Sequence, residues 1–357
     1  MHDLTTNIFP ATIGLDLGNK NTQCAVYGAD CERIEERKVT TNREQITTLL
    51  KRFAGARIVM EASTASRWIF NLAKQLGHEV IIANPRCIPI ITSSVRKCDR
   101  NDARLLAELG QLRPSLLSPV TLRDDCFQEL RTLLFARQQL VKQRTALVCF
   151  IRSEVRVLGH SLPSCGTKVF AKKCRALIPE SLQTALNPIF DVIQNMTDGA
   201  NQFDESIIEI SKNDFPQTEV LRQVHGVGPL IALAFVATIG DPGRFAKSRT
   251  IGAYLGLVPR IKQSGKSDPA LSITKCGDRF MRSLLVSAAT KILGPKGEDC
   301  ELRRFGERIA AQGGKRAKAR ARIAVARKLG TLLHALLRTG EVYEPLRSCE
   351  SADVQVA

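Results

Sequence analysis

The sequence predicts an α/β domain at the start of the chain, then a long helical hairpin, and then a mainly α-helical domain. Short apolar runs alternate with amphipathic segments in the first third, which is typical of an α/β layer with a mainly parallel sheet. Apolar residues then recur at helical spacing, and the last third contains helical segments separated by glycine turns. We expect domains over residues 1–124, 125–215 and 216–345, followed by a disordered tail over 346–357.

The composition points to a folded protein with a polyanionic partner. The 357 residues are 44% apolar, enough for real cores, and Lys plus Arg (52) exceeds Asp plus Glu (35) to give a net charge of +17. We expect nucleic acid as the partner, with an anionic membrane surface as the second possibility. No apolar run reaches the roughly 18–20 residues that cross a bilayer, and Met1-His2-Asp3 does not begin a signal peptide. We therefore expect a cytoplasmic protein with no membrane association.

The eleven cysteines do not form a recognisable framework. They are scattered from Cys24 to Cys349, their number is odd, and they include no Cys-x-x-Cys pair. Reduced, mostly buried thiols are the better interpretation. The five histidines add no closely spaced ligand pair, so the spacing does not predict a structural zinc site.

The first domain opens with an apolar strand that carries Asp16 and breaks at Gly18. The following two strands read as a meander, because only a short turn at Gly28-Ala29-Asp30 separates them. A second buried strand ends on Glu61. The other predicted elements of this domain are strands over 22–26, 33–39, 57–61 and 79–83, a helix over 45–53, and a helix that passes through 68–76.

Four acids in this domain could form one site. If the strands that carry Asp16 and Glu61 are neighbours, two carboxylates meet at one end of the sheet. Asp99 is a predicted N-cap, and Asp102 follows at i+3 on the same helix face. Clustered carboxylates repel one another unless a divalent cation neutralises them, and oxygen ligands favour Mg²⁺ or Mn²⁺. Taken singly, each acid is better explained as an ordinary turn or cap residue, and only their combination favours a metal site.

The same opening also resembles the first phosphate loop of the actin and sugar-kinase ATPases. That resemblance depends on Asp16, Gly18 and Thr22. Those enzymes need a second Asp-Gly phosphate loop, which the chain does not convincingly provide, and the net charge of +17 has no role in them. The metal interpretation therefore explains more of the sequence.

The middle of the chain predicts two long helices. Apolar residues recur at helical spacing from Asp125 to Val155, and a second helical region runs from Leu182 to about Ile210. A turn over 159–166 and a basic stretch over 168–175 separate them. An antiparallel hairpin, coiled-coil in character, would serve as a spacer or a dimerisation arm, although such an apolar stripe also fits an intrachain core.

The C-terminal third contains two glycine motifs and many cations. Gly226 and Gly228 lie in a turn similar to a helix-hairpin-helix, where backbone amides can approach a phosphate; a tight turn without a ligand is the alternative. Ser264-Gly265 lies in a polar loop that could bind phosphate and expose a hydroxyl, or could be ordinary. The candidate nucleic-acid-binding cations are Arg260, Lys262, Lys266, Lys275, Arg279, Arg282, Lys315, Arg316, Lys318 and Arg320, for which a solvated basic face is the alternative.

Taken in order, these motifs resemble the "IS one-ten" family of DEDD-type bacterial insertion-sequence transposases, which includes bridge-RNA-guided recombinases and the Piv DNA invertases. The resemblance covers nearly the whole chain. Two positions depart from the family pattern: Cys98 stands where threonine is usual, and Thr274 where a serine precedes the lysine. The matching motifs are Gly14-Leu15-Asp16, Glu61-Ala62, Lys97-x-Asp99-x-x-Asp102-Ala103, Pro259, Ser264-Gly265 and Lys275-x-Gly277.

The resemblance implies a RuvC-like (RNase H-like) first domain and a DNA transposase or recombinase. It implies that Asp16, Glu61, Asp99 and Asp102 are catalytic acids that bind Mg²⁺ or Mn²⁺, and that Ser264 is a nucleophile that forms a 5′-phosphoserine with DNA. It further implies donor and target DNA, a structured bridge RNA as guide, and a homo-oligomer in which dimers assemble to a tetramer. A bacterial, nucleoid-associated location follows from the same family.

Two other functions remain open from the sequence. A RuvC-like, structure-selective endonuclease would use metal-activated water and leave Ser264 as a loop residue. A non-enzymatic architectural protein would bind nucleic acid without cutting it. A covalent protein–DNA adduct distinguishes the recombinase from the first, and metal-dependent cleavage from the second.

Overall fold

A computed structural model describes residues 9–85, 98–261, 271–314 and 316–346. The chain divides into two compact units, one from Met1 to Leu122 and one from Arg123 to the end. The first unit contains a five-stranded sheet and the second is helical apart from one short paired segment. The predicted tail beyond residue 346 lies outside the described residues, and the predicted division into three domains stays a prediction.

The sheet of the first unit has the strand order β3-β2-β1-β4-β5. Strands β1 to β3 form the predicted antiparallel meander, because the short turns between them allow no other pairing. Strands β4 and β5 then add in parallel beside β1. The sheet is therefore mixed, and the prediction of a mainly parallel sheet is wrong, since the meander contributes as many strand pairs as the crossovers do. The strands are β1 (Ala11–Leu17), β2 (Asn21–Gly28), β3 (Arg33–Thr40), β4 (Arg57–Glu61) and β5 (Glu79–Ala83).

Helices cover both faces of this sheet. Helix α1 (Arg43–Arg52) begins where the Asn42 side chain accepts a hydrogen bond from the Gln45 amide at 2.8 Å, and helix α2 (Ser66–Gln75) follows β4. Both pack on one face, against buried residues of β1 and β4 such as Leu15 and Met60. Helix α3 (Asp99–Leu112) covers the opposite face. The first unit is thus a three-layer α/β/α arrangement.

The second unit begins with the predicted hairpin. Helix α4 (Asp125–Val157) and helix α6 (Glu180–Asn213) run antiparallel, with the short helix α5 (Phe170–Cys174) between them. Arg137 of α4 binds Asp204 of α6 at 2.5 Å, and further along Arg144 donates to Thr197 Oγ1 at 3.3 Å. Phe170 stacks on a phenylalanine of α6 with ring centroids 5.5 Å apart. A coiled-coil twist of the hairpin stays a prediction.

The rest of the second unit is a bundle around one apolar helix. Helix α8 is buried on all sides from Ile231 to Ile239, so it forms the centre of the core. Leu130 and Leu134 of α4 belong to the same core, which joins the base of the hairpin to the bundle. The bundle helices are α7 (Thr218–Arg222), α8 (Pro229–Ile239), α9 (Ile251–Tyr254), α10 (Arg279–Ile292), α11 (Glu301–Ala311) and α12 (Ala317–Thr339).

The described residues also bear on membrane-spanning helices and on the state of the cysteines. Within the described ranges, no helix combines the length and the apolar character that crossing a bilayer requires. The nine cysteines of those ranges are all free thiols, and the sulfur atoms of Cys165 and Cys174 lie 3.8 Å apart. Five of the nine are exposed and only Cys24, Cys174 and Cys300 are buried, so the prediction of mostly buried thiols is wrong.

Candidate active site

Strand register brings two of the predicted acids to one edge of the sheet. Strands β1 and β4 are parallel neighbours, with Leu15 opposite Met60 in the last registered pair. Asp16 and Glu61 each follow that pair by one residue and therefore end side by side. Because side chains alternate along a strand, Asp16 also lies on the same face as Gly14.

Helix α3 contacts that face at backbone distance. A Cβ added to Gly14 would lie 2.0 Å from the carbonyl oxygen of Ala103, and one added to Gly110 would lie 2.3 Å from Cγ2 of Val59. Glycine at both positions lets the helix and the strands approach this closely. Ala103 lies beside Gly14, whereas Gly110 also approaches Thr12, nearer the start of β1, with its added Cβ 3.4 Å from Thr12 Cγ2. Helix α3 therefore runs antiparallel to β1. Its first turn is directed toward the edge that carries Asp16.

The first turn of α3 carries the other two acids. The helix begins at Asp99, and Cys98 occupies the cap position with extended backbone angles, φ −148° and ψ 145°. The prediction of Asp99 as N-cap is therefore wrong by one residue: the Asp102 amide donates to the Cys98 carbonyl at 3.1 Å and closes the first turn there. Asp102 is only 8% exposed, whereas Asp99 is exposed. The positive end of the helix dipole stabilises both carboxylates.

The four acids fit a hard divalent cation by their chemistry. Three elements direct carboxylates to one sheet edge, and carboxylate oxygens are the ligands that Mg²⁺ and Mn²⁺ prefer. Among the described residues, which include all four acids, no three Asp, Glu, His or Cys side chains form a group close enough to hold a metal ion. The acids therefore border one edge without forming a closed ligand set.

Ion pairs fix α3 against the meander beside this edge. Arg104 of α3 forms a hydrogen-bonded ion pair with Glu36 of β3, and Arg100 Nε lies 3.4 Å from the same carboxylate. The hydrogen bond from Arg104 holds the pKa of Glu36 below its usual range. Tyr27 of β2 donates to Glu108 Oε1 of α3 at 2.8 Å. These contacts set the position of the helix along the sheet.

The turn after Asp16 uses its hydroxyls internally. Thr22 is completely buried, and its Oγ1 lies 2.8 Å from Oγ1 of Thr41. Thr41 in turn donates to the Gly18 carbonyl at 2.8 Å. A phosphate loop of the ATPase type would present this threonine to its ligand, whereas here a part-buried hydroxyl pair closes the turn. The Thr22 hydroxyl is therefore used within the turn, and the metal role of Asp16 stays a prediction.

A short ribbon leads into the loop of the predicted nucleophile. The Arg260 amide donates to Ser272 at 3.0 Å, the Thr274 amide donates to Val258 at 2.9 Å, and residues 259 and 273 form an antiparallel bridge. Residues 258–260 and 272–274 thus pair as the stem of the intervening segment. Three predicted site residues, Ser264, Lys262 and Lys266, lie in that segment, outside the described residues.

Two glycines and an arginine hold the base of this ribbon. Gly256 has φ +66° and Gly277 has φ +82°, and a Cβ on either would lie 2.0 Å from a backbone oxygen of the other strand of the ribbon base. Arg282 Nη1 donates to the carbonyls of Leu255 and Cys276 at 2.9 and 2.8 Å. Arg282 therefore stabilises the ribbon by hydrogen bonds to both sides of its base. Its predicted contact with nucleic acid stays a prediction.

The other predicted cations of this unit lie at the surface. Lys275 has a left-handed backbone, φ +57°, and is exposed next to the ribbon. Arg320 is exposed on α12 and donates to the Gly313 carbonyl at 3.0 Å. Lys315 lies outside the described residues. The remaining exposed members of the predicted set are Arg260, Arg279, Arg316 and Lys318.

The helix-hairpin-helix glycines have different roles. Gly226 has φ +85° and lies against α10, where an added Cβ would be 3.2 Å from the Ala288 carbonyl oxygen. Gly228 is the N-cap of α8, with extended backbone, and an added Cβ there would meet nothing within 4 Å. Helix α8 starts after Gly228 with Pro229, which has no N–H, and the Ile231 amide already donates to the Gly228 carbonyl at 3.0 Å, so phosphate binding at this turn stays a prediction.

A buried ion pair that the sequence analysis did not identify supports the segment after the ribbon. Asp278 caps α10 by accepting from the Met281 amide at 2.8 Å, and it binds Arg131 of α4 at 2.6 Å. Burial alone would raise the pKa of Asp278, but the Met281 amide and Arg131 outweigh it and lower that pKa. The available signal in the sequence was an Asp at an N-cap position, three residues before the amide from which it accepts a hydrogen bond.

Comparison with known sequences assigns this arrangement to a class. Residues 13–158, which carry all four acids, match the DEDD transposases of the IS110 type. Residues 218–299, which carry the glycine turn and the serine loop, match the transposase IS116/IS110/IS902 family. The acids lie at a sheet edge, the cations lie on a helical unit, and the two family matches follow each other in this order along the chain. Together these features define a DNA transposase.

Full-length relatives agree with this class. The transposase for insertion sequence element IS1111A of Coxiella burnetii is 28% identical over 297 residues, covering 80% of this chain and 79% of the relative. The transposase for IS1328 of Yersinia enterocolitica is 27% identical over 285 residues, covering 78% and 82%. The pilin gene-inverting protein of Moraxella lacunata is 26% identical over 305 residues, covering 80% and 81%. The chain belongs to the IS110 family of transposases, and the resemblance inferred from its motifs is confirmed.

Proposed function

We propose that this transposase cuts and rejoins DNA strands with four metal-binding acids in its first unit and a serine nucleophile in its second. One observation carries the first half of the proposal. The β1–β4 register sets Asp16 beside Glu61 on the face where the first turn of α3 brings Asp99 and Asp102. A RuvC-like assignment of the fold is part of the same proposal.

The acids would hold Mg²⁺ or Mn²⁺ through carboxylate oxygens. When bound, such an ion polarises a phosphate and favours the deprotonated form of an attacking hydroxyl. The protein's own contribution is to place the carboxylates: strand register fixes Asp16 and Glu61, and the helix dipole stabilises the charge of Asp99 and Asp102.

Ser264 carries the covalent chemistry in this proposal. A bond forms between its Oγ and phosphorus while the bond from phosphorus to the 3′ oxygen of the DNA strand breaks. The serine gives up its proton, and the departing oxygen leaves as a 3′-hydroxyl. A 3′-hydroxyl from another strand then attacks the 5′-phosphoserine and restores the serine, so the phosphodiester energy is conserved.

The ribbon below Ser264 gives the loop a fixed origin. Its backbone pairing and the Arg282 contacts hold both ends of the loop in place. Arg260 is exposed beside the loop and Lys275 is exposed at the base of the ribbon, and a cation near the scissile phosphate would stabilise the charge that develops there. An ordered stem positions a nucleophile with less entropy loss than a free loop does.

The partners follow from the charge and the family. The net charge of +17 and the exposed cations of the second unit support binding of donor and target DNA. A structured bridge RNA that pairs with both DNAs is the proposed guide, and a dimer that assembles to a tetramer is the proposed working form. The bacterial nucleoid is the location where such a protein acts.

A denaturing gel tests the mechanism. The substrate is a supercoiled plasmid that carries this chain's gene with its flanking DNA, transcribed to supply any guide RNA. We expect a protein–DNA adduct that survives SDS, is absent in Ser264→Ala, and is lost in Asp16→Asn and Glu61→Gln. Ser153→Ala and Glu32→Gln, at exposed positions away from the site, should form it normally. Full cleavage by Ser264→Ala would instead establish the water-activating endonuclease, and cleavage unchanged in Asp16→Asn and Glu61→Gln would refute the metal assignment.

A further inference from the structure

A groove in the second unit combines an aliphatic wall with arginines. It has a volume of about 720 Å³ and lies between the ribbon and the first half of α12. Ile261 and Leu271, which adjoin the paired residues at the loop side of the ribbon, and Ile323 of α12 form much of the apolar wall. Four guanidinium groups line the groove, those of Arg260, Arg316, Arg320 and Arg327.

The apolar wall is open to solvent and the charge is of one sign. Ile261 is 81% exposed and Leu271 is 36% exposed, so this wall has no apolar covering among the described residues. No Asp or Glu of the described ranges lines the groove, and none of its four arginines forms an ion pair with a carboxylate of those ranges. The groove thus suits a ligand that is anionic at one side and apolar at the other.

We propose that this groove holds an unpaired nucleotide, with its base on the aliphatic wall and its phosphates on the arginines. A volume of about 720 Å³ lies within the roughly 300–1,000 Å³ of ligand pockets and accommodates an extruded base with its sugar. Bases in a duplex are stacked and cannot offer a face to Ile261, whereas an unpaired base can. Arginine planes stack on bases as well as binding phosphate.

The position of the groove connects it to strand exchange. Ile261 is the last described residue before the segment that carries Ser264, and Leu271 is the first described residue after it. Exchange requires bases beside the cut to leave one partner before they pair with another, and the groove would hold one of them during that interval. This inference rests on the proposed function, and it names the state of the DNA that the serine loop works on.

Fluorescence anisotropy with matched oligomers tests the aliphatic wall. The probes are a thymidine oligomer of about 15 nucleotides, its uridine equivalent, an abasic oligomer of the same charge and a duplex of the same length. For Ile261→Ser we expect binding of the thymidine or uridine oligomer to weaken on the order of five-fold, with the abasic and duplex probes unchanged. Val342→Ser, at a 72% exposed position outside the groove, should change none of them. The stronger of the two base-bearing probes identifies DNA or RNA as the source of the nucleotide.

The arginine side of the groove has its own matched pair. Arg320→Gln should weaken binding of every single-stranded probe and lower the salt slope by about 0.7, the value for one phosphate contact on a single strand. Arg322→Gln, two residues along the same helix and outside the groove lining, should have little effect on the single strands. Equal effects of these two variants would indicate a diffuse basic face and overturn the proposal.

The results separate this inference from the proposed function. Unchanged oligomer binding by Ile261→Ser, or equal weakening with and without bases, overturns the groove even if the SDS-resistant adduct forms. Selective loss of base-bearing probes supports the groove even if Ser264→Ala still cuts DNA, in which case the serine mechanism fails alone.

Discussion

The acid edge of the first unit and the serine ribbon of the second unit are positioned by different kinds of contact. Strand register and a backbone contact between Gly14 and α3 hold the acids, inside a core of β1 and β4. The ribbon has only a few backbone hydrogen bonds and depends on left-handed glycines and one arginine. The acids therefore depend on global folding, whereas the serine loop depends on a local structure that can be disturbed while the fold remains.

Gly14→Ala should have the largest effect, because its new Cβ meets the Ala103 carbonyl oxygen at 2.0 Å and neither backbone can withdraw without moving a core layer. We expect at least about 3 kcal/mol of destabilisation of the first unit and loss of DNA cleavage. Urea denaturation and the cleavage assay measure the two effects. Gly166→Ala, where an added Cβ meets nothing within 4 Å, is the control. Near-wild-type stability of Gly14→Ala would show that α3 is not in backbone contact with β1.

Gly256→Ala should have an intermediate and more local effect. Its φ of +66° and its 2.0 Å approach to the Cys276 oxygen predict a cost of about 2–3 kcal/mol. Hydrogen exchange should accelerate in residues 254–260 and 272–277 while the core of α8 stays protected, and adduct formation should fall. Gly228→Ala, which is sterically free, should leave exchange in the ribbon unchanged. Uniform acceleration across the unit would contradict the local role assigned to the ribbon.

Removal of the Asp278 carboxylate should have the smallest effect and one that depends on pH. Asp278→Ala should cost about 1–2 kcal/mol through the lost cap, while Asp278→Asn keeps a cap and loses only the charge attraction to Arg131. Because the folded pKa of Asp278 is lowered, its charge stabilises the fold fully above the unfolded pKa, and that stability is lost as the pH falls through the folded value. Urea denaturation from pH 6 downward should show the gap between the wild type and Asp278→Asn closing. A gap that is constant with pH would contradict the ion pair.

Sequence patterns predicted the elements of the acid edge well. Apolar runs that end on Asp16 and Glu61 mark strand ends, and only the adjacency of the strands had to be assumed. The mixed character of the sheet was harder, because the meander and the crossover strands have similar composition. The helix start at Asp99 was missed by one residue because cysteine has little cap preference, so nothing in the sequence marked Cys98.

In the second unit, sequence patterns did not predict the ribbon or the contacts that stabilise it. The ribbon pairs three residues on each side, too few for an alternating pattern, and its register depends on Gly256 and Gly277 in left-handed conformations. The sequence did not predict the exposure of Ile261, since an isoleucine is more often buried. The sequence also did not predict that Arg282 stabilises the ribbon, because the cations of a basic stretch cannot be distinguished until their hydrogen-bond partners are known.

The glycine contact between β1 and α3 also determines how far the acid edge can adapt. With the backbone of Gly14 directly against Ala103, the strand and the helix form one rigid layer pair. Movement that draws the carboxylates together is then restricted to side-chain rotations and to the first turn of α3, where Asp99 and Asp102 lie. In the proposed function, the backbone spacing between the strand acids and the helix acids is fixed, and adjustment to a metal ion would come from the side chains and the first turn of α3.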